Sequence, residues 1–187
     1  MGFLDRFRAP VPDVEAGAET RERVEQRMSS LVSPASDEQL AEAVRLVVRE
    51  DLWPCSEAWR QALGGLEKEV ESELFLCVWA GCAGAIAARS DWEVALARLS
   101  VPMGLLREYV PFSCRDHYDD GPQGLIYYSR TLFPKEPDVV KATLVVMAKW
   151  MCLPERKGVL EGWHRLGLLA WLAGEIMAES VTWSEEE

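Results

Sequence analysis

An uncharged stretch in the middle of the chain constrains the fold more than any other feature. Fifteen residues from Leu74 to Ala88 carry no charge, and they lie between Glu73 and Arg89. A helix needs roughly 20 apolar residues to cross a bilayer, so this run is too short to be typical of a membrane span. Many of its residues are alanine or glycine, which allow a neighbouring helix to approach closely. The run therefore predicts a buried core helix.

Elsewhere, apolar residues recur at the three- or four-residue spacing of amphipathic helices. One such stripe comes after Ser36 and Gln39, whose spacing is that of a capping box. Its members are Leu40, Ala43, Val44, Val47, Val48 and Leu52. No two alternating strand patterns are joined by an Asn-Gly or Asp-Gly turn. The sequence predicts an all-α fold, a single compact bundle of about seven to eight helices, and most of its eight tryptophans are expected in the core.

Three segments are predicted along the chain. Residues 1–12 form an appended N-terminal segment, in which Pro10-Val11-Pro12 separates a short amphipathic helix from the rest of the chain. Residues 13–183 form the helical domain, and residues 184–187 form an acidic tail. A chain of 187 residues buries about 70% of the surface that its unfolded form exposes, so neither a disulfide nor a metal is needed for folding.

Proline, glycine and capping residues predict the helix boundaries. Gly64-Gly65 should loosen or bend the helix that leads into the uncharged run. Ser90 with Glu93 predicts a second capping box, and Pro102 predicts the first turn of a new short helix. A final helix is expected from Pro154 to about Trp183, where four interior glycines predict close packing against another helix.

The charge of the chain limits the partners that it can bind. The sequence has 20 Lys and Arg against 31 Asp and Glu, a formal net charge of −11. Nucleic-acid affinity depends on basic residues that neutralise phosphates, and the chain has no basic run. The same deficit weakens adhesion to an anionic membrane surface. A basic protein partner fits this charge, because complementary potentials accelerate association.

Cysteine usage and the N-terminus predict the compartment. The five cysteines are an odd number without a Cys-x-x-Cys pair, which indicates reduced thiols. Residues 1–8 carry charges where the apolar centre of a secretion signal would lie, so no signal peptide is expected. We predict a cytoplasmic protein without an integral membrane segment, and no motif requires a cofactor or a metal.

Four residues are predicted to bind a partner. Phe3, Leu4 and Phe7 cannot be buried by the first nine residues alone. They would dock on the domain, on a second copy or on another protein, or stay disordered; in a partner groove Leu4 and Phe7 would serve as anchors. Trp183 stands beside the acidic end, where little chain remains to cover it.

A second candidate site lies in residues 111–121, which we expect to form the longest irregular segment within the domain. Cys114, His117, Asp119 and Asp120 gather a thiol, an imidazole and carboxylates there. Cys114 and His117 supply only half of a zinc site, and a cysteine hydrolase would also need a base and an oxyanion hole. A solvated polar loop with ordinary turn chemistry is the alternative interpretation.

These patterns are compatible with two classes of function. The first is a non-catalytic acidic interaction protein, such as an adaptor, an assembly subunit or an inhibitor of the immunity type, which binds a protein partner or a second copy. The second is a small helical enzyme, or a bundle that binds a metal or ligand around residues 114–120. The sequence has no Gly-x-Ser-x-Gly, phosphate-loop, dinucleotide or His-Glu-x-x-His motif, and this favours the first class.

Overall fold

The helix built from the uncharged run lies at the centre of the fold. In the computed structural model, which describes residues 18–54, 57–119, 151, 153 and 157–181, this helix spans Glu67–Ala87. Every residue from Ser72 to Gly84 is buried, so neighbours cover the helix on all sides, as its all-round apolar character requires. The predicted buried core helix is confirmed.

Seven α-helices make up most of the described part of the chain, and that part contains no strand. They are α1 (Ala18–Ser29), α2 (Asp37–Leu46), α3 (Glu57–Ala62), α4 (Glu67–Ala87), α5 (Trp92–Leu106), α6 (Arg115–Asp119) and α7 (Lys157–Met177). A π-helical turn, Val47–Leu52, continues α2, and 3-10 turns span Arg107–Tyr109, Phe112–Cys114 and Ala178–Ser180. The predicted all-α bundle is confirmed. The N-terminal segment 1–12 and the acidic tail 184–187 lie outside the described residues.

The longest helices, α4 and α7, pack closely against each other at glycines. A Cβ atom added to Gly174 of α7 would lie 1.9 Å from the Val78 carbonyl oxygen of α4. One added to Gly81 of α4 would lie 2.2 Å from the Trp171 carbonyl oxygen of α7. Side chains larger than hydrogen do not fit at these two positions, which confirms close packing as the role of Gly174.

Helix α2 begins and continues as its sequence predicts. The Ser36 hydroxyl accepts a hydrogen bond from the Gln39 backbone N–H, and the Gln39 side chain accepts one from the Ser36 N–H at 2.9 Å. The apolar stripe after this cap is buried throughout. In the π-helical turn, the buried Asp51 carboxylate pairs with Arg27 of α1, and this contact ties α1 to the end of α2.

The described tryptophans divide evenly between buried and half-buried positions. Trp59, Trp79 and Trp163 are fully buried, whereas Trp53, Trp92 and Trp171 are half-buried and pack against the core. Trp59 meets Trp53 edge-on at 6.2 Å between ring centroids, and its Nε1 donates to the Val159 carbonyl at 3.2 Å. The core is therefore rich in tryptophan in the part of the chain described.

Two predicted boundaries around α4 are wrong. Gly64 and Gly65 separate α3 from α4 completely, because both adopt positive φ angles, 66° and 97°, that favour glycine and interrupt a helix. The predicted Ser90 capping box does not form. Asp91 is the N-cap of α5 instead, since its carboxylate accepts from the Val94 N–H at 2.8 Å, while the Ser90 hydroxyl donates back to the Ile86 carbonyl.

Two further boundaries also differ from the prediction. Pro102 does not start a helix but lies buried inside α5. The helix continues through it because Leu99, Met103 and Leu106 are buried on the same side, and this packing outweighs the backbone hydrogen bond that proline cannot donate. Helix α7 ends at Met177 rather than near Trp183, since a 3-10 turn comes directly after it.

One described helix, α4, is long and apolar enough to cross a membrane by length and composition alone. Its most apolar 18-residue window is 83% buried inside the chain. Core helices pass the same test, so this helix is weak evidence for a membrane span.

Candidate functional site

The segment after α5 is helical, not irregular as predicted. The 3-10 turn Phe112–Cys114 leads directly into α6, whose Tyr118 is buried. The Tyr118 hydroxyl accepts from Trp79 Nε1 at 3.2 Å and donates to the Met103 carbonyl at 3.0 Å. Burial raises the pKa of this hydroxyl, so it stays protonated and can donate. These two bonds fix α6 to both α4 and α5.

The polar residues predicted as a second site contact different partners. Asp119 forms a bidentate ion pair with Arg107 at 2.7 to 2.9 Å, which lowers the pKa of its carboxyl group. His117 turns towards α4, where its Nε2 lies 3.1 Å from Oε1 of the buried Glu73. Asp120 lies outside the described residues. The structure therefore places His117 and Asp119 against different partners, Glu73 and Arg107.

Glu73 was missed because it is charged and directly precedes the uncharged run, a position that indicates the exposed boundary of that run. A signal exists in the helical spacing, since Glu69, Glu73 and Cys77 recur every four residues on one side of α4. Two of them meet the segment after α5: Glu69 Oε1 lies 3.5 Å from the Ser113 hydroxyl, and Glu73 lies beside His117.

Cys114 has the properties of an unactivated thiol. Partial burial raises its pKa, the nearby Glu69 and Glu73 raise it further, and the Ser113 hydroxyl opposes them. A raised pKa reduces the thiolate fraction and hence the nucleophilicity. Within the described ranges, no group of three His, Cys, Asp or Glu side chains is arranged to hold a metal ion.

A different feature of this region is a concentration of exposed apolar side chains. Six large apolar residues are exposed in the described part of the chain, and all but Val32 lie on α5 or on the two 3-10 turns after it. These five are Val94, Val101, Leu105, Tyr109 and Phe112. The guanidinium of Arg49 lies over the Tyr109 ring, 4.8 Å from its centroid, so we call only the three residues on α5, Val94, Val101 and Leu105, the α5 face. The first three are seven and four residues apart and share one side of the helix. Phe112 is 87% exposed.

The opposite side of α5 is buried against the bundle. Ala95, Leu99 and Met103 face inwards, where the helix packs on α2 and α4. Helix α5 is thus apolar on two sides, and only one of them is covered within the described structure. Gly104 lies on the open side, and a Cβ atom added there would meet no atom within 4 Å.

Carboxylates border the α5 face. Glu93 and Glu108 are exposed at its two ends, and Asp116 is exposed on α6. The neighbouring Arg107 is neutralised by Asp119. Other arginines are also paired within the chain: Arg21 with Glu25, Arg27 with Asp51, Arg45 with Glu42, Arg49 with Glu71, and Arg89 with Glu179. Internal ion pairs therefore use much of the positive charge of the described residues.

The sequence prediction missed the α5 face. Treating Pro102 as a helix start placed Val94 and Leu105 on different helices and concealed their common side. The four residues predicted to bind a partner, Phe3, Leu4, Phe7 and Trp183, lie outside the described residues and stay predictions.

A comparison with protein-family models finds no match to this chain, and searches of curated proteins and of solved structures find no similar protein either.

Proposed function

We propose that this chain is a non-catalytic interaction protein that binds a protein partner through the α5 face. The observation that carries the proposal is the row of three exposed large apolar side chains on one side of α5, Val94, Val101 and Leu105. Single exposed apolar residues are normal on protein surfaces, whereas a grouped patch is typical of an interaction site. An adaptor, an assembly subunit and an inhibitor would all use such a surface.

The charge of the chain supports a basic partner. The net charge is −11, and exposed carboxylates stand at both ends of the α5 face. A partner with Lys and Arg around an apolar centre would complement this surface and associate faster. A cytoplasmic location belongs to the same proposal. The free thiols of Cys77, Cys82 and Cys114 support it, since a reducing compartment keeps thiols unpaired.

The alternative, an enzyme or ligand-binding bundle around residues 114–120, has less support. The pKa of Cys114 is raised, and Asp119 is engaged by Arg107. A cysteine nucleophile would require a lowered pKa and a base close to the thiol. The contact between His117 and Glu73 ties α6 to α4 and so has a structural use.

Affinity capture from the native host tests the proposal. Tagged wild-type chain, Val101→Asp and Val32→Asp would be compared, with circular dichroism to check that each folds. Val32 is the matched control, because it is also an exposed valine, at 71%, but belongs to the connection between α1 and α2 rather than to α5. We expect a partner in stoichiometric amount with the wild type and Val32→Asp, and its loss with Val101→Asp. An empty wild-type capture, or equal recovery by all three, would contradict the proposal.

A further inference from the structure

We infer that the α5 face receives an amphipathic helix from a basic partner, packed lengthwise along α5. This inference rests on the proposed function, and it specifies the structural element and the chemistry of the partner. The side chains that carry it are Val94, Val101 and Leu105, together with the small residues between them.

The dimensions of the face fit a helix. From Val94 to Leu105 it extends for about 16 Å at 1.5 Å per residue, which is the length of three helical turns. The other exposed positions in this span are Ala97, Ser100 and Gly104, which are all small. Ridges of large side chains beside small ones form the grooves into which the side chains of a second helix pack. The open space over Gly104 would hold one such side chain.

The distribution of charge selects a basic helix. The exposed positions from Val94 to Leu105 are uncharged, and the one charged residue in this span, Arg98, is half-buried. Glu93 and Glu108 stand exposed at the two ends. A partner helix with an apolar stripe and flanking Lys or Arg residues would match both parts. A second copy of this chain would not, because antiparallel packing of two α5 helices would bring Glu93 of one chain towards Glu108 of the other. Like charges placed together oppose association.

Two synthetic peptides test this inference against the full-length chain. Both have 18 residues and the same leucine stripe at helical spacing, but one carries lysine and the other glutamate at the polar positions. Binding would be measured by calorimetry, and methyl NMR spectra would locate it. We expect the lysine peptide to bind and to shift the methyl signals of Val94, Val101 and Leu105. We expect no binding by the glutamate peptide.

Variants separate docking from general electrostatic adhesion. Val101→Asp makes the chain more acidic, so simple charge attraction would strengthen binding of the lysine peptide. If the peptide docks on the α5 face, Val101→Asp should instead lower the affinity for the lysine peptide about tenfold or more, as expected when a central apolar contact is lost. Gly104→Leu fills the open space and should weaken binding as well. It replaces a helix-interior glycine, so its loss of affinity would not reflect unfolding. Val32→Asp should leave the affinity for the lysine peptide unchanged.

Three results would overturn the inference: equal binding of both peptides, undiminished binding by Val101→Asp, and no binding of the lysine peptide to the wild type. Methyl shifts of α5 that depend on the concentration of the protein alone would assign the face to a second copy. If host capture still depends on Val101 while the lysine peptide fails to bind, the proposed function stands and only the basic helix is wrong.

Discussion

Replacing Gly174 by alanine tests the close packing of α4 and α7. The added methyl carbon would lie 1.9 Å from the Val78 carbonyl oxygen and 2.6 Å from the Cys82 nitrogen. Real Cβ atoms essentially never come closer than 3.0 Å to another heavy atom. Both obstructing atoms belong to the α4 backbone, so no flexible side chain can move aside. The two helices would have to separate along a buried interface.

The expected magnitude is the balance of two opposing effects. Overpacking of a well-packed core costs about 1–3 kcal/mol and sometimes more, and the backbone clash at Gly174 places this site at the upper end. Replacing glycine by alanine inside a helix stabilises the folded state by about 1 kcal/mol, because alanine has the higher helix propensity. We therefore expect a net loss of about 2 kcal/mol. For a chain of this size, that loss lowers the melting temperature by about 4–8 °C.

Gly104→Ala provides the matched control, because it makes the same substitution inside a helix with open space around the new methyl group. It should raise stability by about 0.5–1 kcal/mol. Thermal unfolding followed by circular dichroism would compare both variants with the wild type. If the two substitutions shift the melting temperature in the same direction, α4 and α7 do not approach each other this closely.

Three further predictions concern the segment after α5. Tyr118→Phe removes a hydroxyl that joins α6 to α4 and α5. Because its buried partners are left unpaired, the free energy of unfolding measured in urea should fall by about 1–3 kcal/mol, and an unchanged midpoint would be evidence against these bonds. Because Arg107 lowers the pKa of Asp119 in the folded chain, their pair stabilises the fold above the unfolded aspartate pKa and loses this effect as the pH falls through the lowered folded value. Stability curves of Arg107→Gln and wild type should thus differ at pH 7 and converge in strong acid; a constant difference would contradict this linkage. A thiol reagent should label Cys114 slowly in the native protein and should label the buried Cys77 only on unfolding, because burial raises the pKa of both thiols. Rapid labelling of Cys77 in the native protein would refute its position in the core.

The helical architecture could be predicted from the sequence because it depends on patterns that are local. The stripe after Ser36 and the uncharged run before Arg89 each determine a helix and its buried side within a few turns. The same reasoning predicted the capping box at Ser36, where both hydrogen bonds are present. It also predicted that interior glycines serve close packing, as Gly174 shows.

Boundaries and contacts that depend on the tertiary structure could not be predicted. Pro102 has the local signature of a helix start, but burial on α2 and α4 keeps α5 continuous through it. At the start of α5, Asp91 and Ser90 are both good capping residues, and only the position of the chain after α4 selects Asp91. Glu73 and His117 are 44 residues apart in the sequence, so their contact depends on how α6 packs on α4.

The candidate surface could not be predicted for a related reason. A helix sequence with apolar residues on two sides predicts that both sides are buried. The sequence pattern does not reveal that one side of α5 stays uncovered in the described structure. Exposure of Val101 and Leu105 is a property of the assembled bundle.

The central claim, that a protein partner binds on α5, is tested most directly by site-specific photo-crosslinking in the native host. A photoreactive phenylalanine derivative would replace Leu105 in one sample and Val32 in another, both of which are exposed. We expect a single discrete crosslinked partner from position 105 and none from position 32. Crosslinks of equal yield at both positions, or a partner captured from position 32 alone, would contradict the account.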